Sequence, residues 1–407
     1  MTDAMLPTPL TAPAPIDASL ETSLLALRRA IHAEPELAFE ERATQQKLEK
    51  ALATIAALPA RRVAGTGLLA RIPGTHPDRA SLPAIALRGD IDALPITEAT
   101  GVPWASTRGG VMHACGHDVH ATWTVGAAAL LRRAPAACDV VLVLQPAEEI
   151  GQGAQAMIAE GALEGVAAIY GAHVDRRFTI GQVVADVGPL AASTDEFVIE
   201  VVGHGAHAAR PHESADPVVA QAALVLALQT LVSRRLNPAW PGVVTVGAVH
   251  AGDAPNVIPE RATLRGTIRT TTPEARRVLT SAIGEMAADI ARGHGCEARV
   301  TLTAGSPPVV NTAREVAWAR AAVTRVLGEQ ALVPLGIVNL AGEDFAHYLA
   351  HVPGAFLRIG AREGDGPVIA AHSPRFLADE GCVAIGAAVL AACAREAAAG
   401  LAAERGG

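Results

Sequence analysis

The sequence predicts an α/β protein, with a mostly parallel sheet flanked by helices and an inserted ferredoxin-like α+β domain. Short apolar runs at 84–87, 140–144 and 167–170 each end in polar residues and alternate with helical stretches, the pattern of buried parallel strands. From about 190 the pattern changes to β-α-β-β-α-β, the order of a split βαβ unit. The 407 residues are too many for one compact core, so two domains are expected. The boundaries read as 18–189 for the first part of the larger domain, 190–305 for the insertion, and 306–407 for the second part.

Each element has a local reason. Leu20, Leu24, Leu27 and Ile31 recur at helical spacing, predicting a helix over 19–33 that Pro35 ends. A second helix is expected over 39–53, and further helices over 119–133 and 153–160. In the insertion, strands are expected at 197–202, 243–250, 263–270 and 297–303. Asp216 with Pro217 reads as N-cap and first position of a helix over 217–232, and Thr272-Pro273-Glu274 opens another that ends near Gly293 and Gly295. Afterwards come a helix at 313–327, apolar runs at 337–340 and 356–359, and an Ala-rich helix from about Asp379. The Pro/Ala-rich leader up to about Asp17 is expected to be disordered.

Composition excludes several functions. Half the residues are apolar but only 3% aromatic, so Ala, Val and Leu must fill the cores. A net charge of -8 and a pI near 6.0 argue against a phosphate-backbone binder, so no nucleic-acid partner is expected. Cys115, Cys138, Cys296, Cys382 and Cys393 are odd in number and lack framework spacing, which fits free thiols in a reducing compartment. The N-terminus lacks the basic-then-apolar order of a secretory signal, and no run of about 18 apolar residues stands out. A cytoplasmic protein without a membrane partner is therefore expected.

The chemistry concentrates where the apolar runs end, which in open α/β sheets is the functional crevice. The densest cluster is Met112-His113-Ala114-Cys115-Gly116-His117-Asp118-Val119-His120. Cys115 and His117, separated by Gly116, can turn toward one borderline ion. A loop with buried, satisfied histidines explains so many ligand types within so few residues less well. Glu148 and Glu149 are adjacent carboxylates that repel one another unless a cation compensates. With a cation, one can ligate while the other takes a proton from an attacking water. Alone, the pair would equally suit a helix N-terminus. His173 and His372, taken singly, read as ordinary polar residues, and Asp92 can orient a ligand by hydrogen bonding. Asp90, His113 and His120 read as structural or supporting residues. In the insertion, His204 and His207 lie in a flexible loop, Asn256 in a rigid turn and Arg269 in a strand. An Arg and an Asn suit a substrate carboxylate, although Arg269 alone reads as an exposed strand residue.

Six motifs in order are highly specific: Arg88-Gly89-Asp90-Ile91-Asp92-Ala93-Leu94-Pro95, Met112 to Asp118, Gln145-Pro146-Ala147-Glu148-Glu149, Gly203-His204-Gly205-Ala206-His207, Asn256-Val257-Ile258-Pro259 and Gly342-Glu343-Asp344-Phe345. With them the chain resembles the di-metal aminoacylase/carboxypeptidase family, in its branch of hippurate hydrolases, N-acyl-amino-acid amidohydrolases and auxin-conjugate hydrolases. The resemblance runs from about Arg28 nearly to the C-terminus. It implies a metal-dependent amidohydrolase that cleaves N-acyl amino acids, with two divalent ions (zinc, manganese or cobalt). It implies that Cys115, His117, Glu149, His173 and His372 are metal ligands, Glu148 the general base, and Asp92 a further catalytic residue. His207 would stabilise the oxyanion, and Asn256 and Arg269 would bind the substrate carboxylate. The insertion would be a lid and dimerisation domain, giving a homodimer or higher homo-oligomer. Gly89 stands where Ala is common, Ala251-Gly252-Asp253 is less Gly-rich than usual, and Asp175-Arg176-Arg177-Phe178 replaces a segment that often contains Pro. The first change reads as minor, and the others bear on substrate preference.

Overall fold

The structure is a computed structural model that describes residues 16–79 and 81–406. The expectation of a disordered leader concerns mainly residues 1–15, which lie outside the described residues. In chain order the elements are α1 (Ala18–His32), α2 (Arg42–Ile55), β1 (Arg61–Val63), β2 (Gly67–Ile72), β3 (Ala84–Asp90), α3 (His117–Arg133), β4 (Val140–Gln145), α4 (Gly153–Ala159), β5 (Val166–Thr179) and β6 (Val183–Val184). There follow β7 (Gly188–Ala191), β8 (Asp195–Val202), β9 (Ala206–His207), α5 (Pro217–Thr230), β10 (Gly242–Ala251), β11 (Val257–Ile258), β12 (Arg261–Thr270), α6 (Pro273–Gly293) and β13 (Glu297–Thr303). The chain ends with β14 (Val309–Asn311), α7 (Ala313–Leu327), α8 (Ala346–Leu349), β15 (Gly354–Arg362) and α9 (Gly381–Gly406).

Two compact units emerge among the described residues, one within 16–188, 311–336 and 347–406, the other of 189–310 and 337–346. The first holds a seven-stranded sheet in the order β1-β2-β4-β3-β5-β15-β6. Its central strands β4, β3, β5 and β15 are parallel, and antiparallel strands finish both edges. All seven residues of β3 and all six of β4 are buried, as a strand covered on both faces requires. Helices α3 and α9 pack closely because glycines let them: a Cβ at Gly386 would lie 2.1 Å from the Trp123 ring, and one at Gly126 2.7 Å from the Ala387 Cβ.

The second unit is an antiparallel sheet in the order β10-β12-β8-β13, with α5 and α6 packed on one face around Phe197, Leu224, Leu264 and Ile283. The first strand, β8, lies inside the sheet, as in the split βαβ arrangement. Asp216 accepts from the Val218 N–H at 2.8 Å and Thr272 from the Ala275 N–H at 3.1 Å, so both helices start where their capping residues direct.

Several elements differ from the sequence expectation. Helix α2 starts at Arg42 because Phe39 is left-handed (φ 61°), and the Glu36 carboxylate caps the helix at the Ala43 and Thr44 N–H groups. The apolar run 337–340 forms no strand: Ile337 is exposed and the segment groups with the second unit. Helices 217–235 and 381–404 are long and apolar enough to cross a membrane by length and composition, against the expectation that nothing in the chain would be. Their Ala- and Leu-rich sequences raise the hydropathy, yet both are packed helices: α9 against α3 and α7, and α5 against α6.

Candidate metal centre

The C-terminal ends of the central parallel strands deliver the polar side chains. Strand β3 ends at Asp90 and leads to Asp92, β4 leads to Glu148 and Glu149, and β5 carries His173. Gly116, left-handed at φ 91°, turns the chain into α3 so that His117 opens the helix. A Cβ there would lie 2.3 Å from Val174 Cγ2, so only glycine fits this turn. The helix starts at His117, two residues earlier than the sequence predicts, which puts His117, Asp118 and His120 on its first turn.

These segments bring together all five predicted ligands of the first unit. Cys115 Sγ lies 3.2 Å from His173 Nε2. His117 Nε2 lies 3.8 Å from both Glu149 Oε1 and Glu148 Oε2, and His372 Nε2 lies 3.4 Å from Glu149 Oε2. Three groups of potential ligand atoms overlap, each within 4.8 Å: Cys115, His117 and His173; Cys115, Glu149 and His372; and His117, Glu148 and Glu149. Asp92 ties the cluster together. One carboxylate oxygen meets His117 Nδ1 at 3.0 Å and the other accepts the Glu149 N–H at 2.9 Å. His372 is itself left-handed (φ 67°), its N–H held by the Ala114 carbonyl at 2.8 Å. Ala147, just before the two glutamates, is also left-handed (φ 54°). Strain beside a polar cluster is characteristic of functional sites.

The electrostatics follow from burial and charge. Burial disfavours the charged His117 ring, but the Asp90 charge and the hydrogen bond to Asp92, with Cys115 close by, outweigh it and hold its pKa well above the usual value. Burial, reinforced by Glu149, pushes the Cys115 thiol well up. His173 is pushed well down by burial and then by His120 and Arg358, so its ring is neutral. The hydrogen bond to Glu149 raises His372.

The residues fit a metal. His117 Nε2 and Glu149 Oε1 are buried with no hydrogen-bond partner, and they face one another. Leaving two such atoms desolvated is costly, and a cation between them removes the cost. A thiol, imidazoles and carboxylates form the mixed donor set that suits borderline divalent ions.

The other predicted residues belong to the second unit. In the second unit β9 pairs with β11, setting His207 opposite Val257, and the Ala208 N–H reaches the Asn256 carbonyl at 3.1 Å. His207 and Asn256 are thus neighbours, and both are exposed. Arg269 belongs to β12, where its guanidinium bonds Thr267 and the Ile268 carbonyl, with no bond to His207 or Asn256.

Sequence reasoning missed the support behind the cluster. Glu41, fully buried, accepts the Ala147 N–H at 3.0 Å and bonds the Thr66 hydroxyl. Burial pushes its pKa up to about 7. Asp118 is held by Arg28 Nε and His32 Nδ1, each at 2.8 Å, and the Arg28 guanidinium lies 4.0 Å over the Trp104 ring. His113 is buried beside this network with neither ring nitrogen bonded, and burial pushes its pKa down to about 3. The sequence signal for Arg28, His32 and Glu41 is their place at the start of the resembling stretch, which begins at about Arg28.

Residues 86–396 match the model of peptidase family M20/M25/M40. The chain is 39% identical over 364 residues to the N-acetyl-L-cysteine deacetylase of Bacillus subtilis (strain 168), covering 89% of this chain and 85% of that protein. It is 38% identical over 379 residues to the IAA-amino acid hydrolase ILR1-like 2 of Arabidopsis thaliana, covering 91% and 84%. Among solved structures it resembles the Bacillus subtilis YXEP protein, described as a dinuclear metal binding peptidase from the M20 family. The TM-score is 0.81 at 34% identity, covering 93% of this chain and 98% of that one. The chain belongs to peptidase family M20/M25/M40 and is an enzyme of that hydrolase family.

Proposed function

We propose that this enzyme is a metal-dependent amidohydrolase that cleaves N-acyl amino acids to a carboxylic acid and an amino acid. The observation that carries the reading is the pair of buried, unbonded ligand atoms, His117 Nε2 and Glu149 Oε1, within a cluster that also holds Cys115, His173 and His372. Two relatives named for acting on an N-acetyl or amino-acid conjugate support the substrate class.

On this reading Cys115, His117, Glu149, His173 and His372 hold two divalent ions. Bound ions would supply the positive charge that acidifies a water and polarises a carbonyl. Glu148, beside His117 and still 11% exposed, takes the proton of the attacking water and passes it to the leaving nitrogen. Asp92 keeps His117 Nδ1 engaged, so that Nε2 stays directed at Glu149. His207 is assigned to the developing oxyanion and Asn256 to the substrate carboxylate. Arg269 has the same assignment as Asn256, and its bonds to Thr267 and the Ile268 carbonyl both run through one terminal guanidinium nitrogen.

The second unit is proposed to act as lid and dimerisation domain, making the enzyme a homodimer or higher homo-oligomer. Strand β10 is a ten-residue sheet edge, and such an edge is a template for pairing with a second copy.

The test is a panel of N-acyl amino acids and dipeptides, assayed with protein stripped of metal and reloaded with zinc, manganese or cobalt. Metal-restored hydrolysis of an N-acyl amino acid is expected. Metal-restored hydrolysis of dipeptides alone would replace this reading with that of a dipeptidase.

A further inference from the structure

The β3–β5 ladder stops at Arg88 opposite Gly171, and His173 and Val174 lie just beyond it. There two imidazoles hold the Val174 backbone, one on the peptide group before its Cα and one on the peptide group after it. Its N–H donates to Nε2 of His120 at 3.0 Å, and its carbonyl accepts from Nδ1 of His173 at 2.6 Å. A backbone amide can only donate and a carbonyl can only accept, so these two bonds fix both tautomers. His120 carries its proton on Nδ1, which meets Asp90 Oδ1 at 2.6 Å. His173 likewise carries its proton on Nδ1, which leaves the Nε2 lone pair facing Cys115 Sγ. Asp90, His117 and His120 also lie within ligand distance of one another, but both ring nitrogens of His120 are already engaged.

We propose that His120 is a positioning residue for His173, acting through the Val174 backbone, whose N–H it fixes and whose carbonyl sets the tautomer and aim of that imidazole; this rests on the metal-centre reading above. The anchor behind His120 is rigid. Asp90 is paired with Arg88, and Arg88 Nε donates to Gln145 Oε1 at 2.8 Å, which also accepts from the Tyr348 hydroxyl at 3.1 Å. Arg88, Asp90, His120, Gln145 and Tyr348 are all fully buried, so water cannot substitute for a lost member. Burial holds His120 below its usual pKa despite Asp90, in keeping with a neutral ring that accepts at Nε2.

The experiment is a titration of metal-stripped protein with Zn²⁺ against a competing chelator. His120→Asn keeps a donor for Asp90 but has no acceptor for the Val174 N–H. His120→Gln puts an amide oxygen near that acceptor position. The wild type is expected to take up two equivalents, and His120→Asn to bind one of them about 10–100-fold more weakly. His120→Gln is expected to recover most of that loss, with thermal melts of the metal-free variants separating folding from affinity. Wild-type affinity in His120→Asn, or a loss in His120→Gln equal to that in His120→Asn, overturns the inference while leaving the metal centre standing. No uptake by the wild type overturns the metal centre and this inference with it. A second measurement needs no variant: nitrogen NMR of histidine-labelled, metal-free protein should show Nδ1–H on both His120 and His173. A proton on Nε2 of His120 would equally overturn the inference.

Discussion

The Asp92 carboxylate meets Nδ1 of His117 at 3.0 Å, and this contact leaves His117 Nε2 pointing at Glu149 Oε1, 3.8 Å away. The same carboxylate accepts the Glu149 N–H, so one side chain sets the spacing between the cysteine-histidine loop and the glutamate pair. The division of labour proposed for Glu148 and Glu149 depends on that spacing.

Replacing Glu148 with Gln removes the proposed base and leaves Asp92, His117 and Glu149 in place. Metal content, measured by elemental analysis, should stay near that of the wild type while turnover falls by about 100-fold or more. Near-normal turnover in a metal-loaded Glu148→Gln protein would remove Glu148 from the base role.

Asp118 is buried at the start of α3, and Arg28 is its cationic partner. Arg28→Ala leaves that carboxylate with His32 alone, and breaking a buried pair in this way costs about 3–5 kcal/mol. Chemical denaturation should show a loss of this order. A loss under about 1 kcal/mol would mean that Asp118 does not depend on Arg28.

Glu41 gives a pH signature. Its carboxyl is raised from an ordinary 4.5 to about 7 by burial, so between these values the folded state holds a proton that the unfolded state has released. Its contribution to stability is therefore fully present below about 4.5 and is lost as pH rises through about 7. Glu41→Gln should flatten the stability profile across that window, as read by denaturant midpoints at several pH values. A profile unchanged by the substitution would mean that Glu41 is ionised in the folded protein.

Gly89 reads as a minor departure in the sequence, but a Cβ there would lie 2.5 Å from both the His120 carbonyl and Thr124 Oγ1. Gly89→Ala should push α3 away from β3 and cost about 1–3 kcal/mol. A melting temperature equal to that of the wild type would show that the helix yields without cost.

The parts of the site close together in sequence were the legible ones. Cys115 and His117 stand in one short motif that opens α3, and Glu148 and Glu149 in another after the apolar strand β4. His173 and His372 gained meaning only from the resemblance, since a single histidine carries no pattern. His120, Glu41 and Arg88 were not legible as supports because they act through buried bonds to partners such as Val174, Ala147 and Gln145, and nothing in the sequence marks those pairings. Among the strands, β5 was expected to stop at Tyr170 but runs to Thr179. Arg176 is buried there by Glu363 and the Leu377 carbonyl, so a polar segment remains in the sheet. The short β1 and β2 escaped notice because Gly65 and Gly67 interrupt any alternation.

On the proposed reading, five side chains converge on a pair of cations beside Glu148. Anomalous diffraction from crystals soaked in Mn²⁺ or Zn²⁺ tests it most directly. Two peaks about 3.5–4 Å apart, contacted by Cys115, His117, Glu149, His173 and His372, are the predicted result. Crystals of active protein with no peak among these side chains would contradict the account.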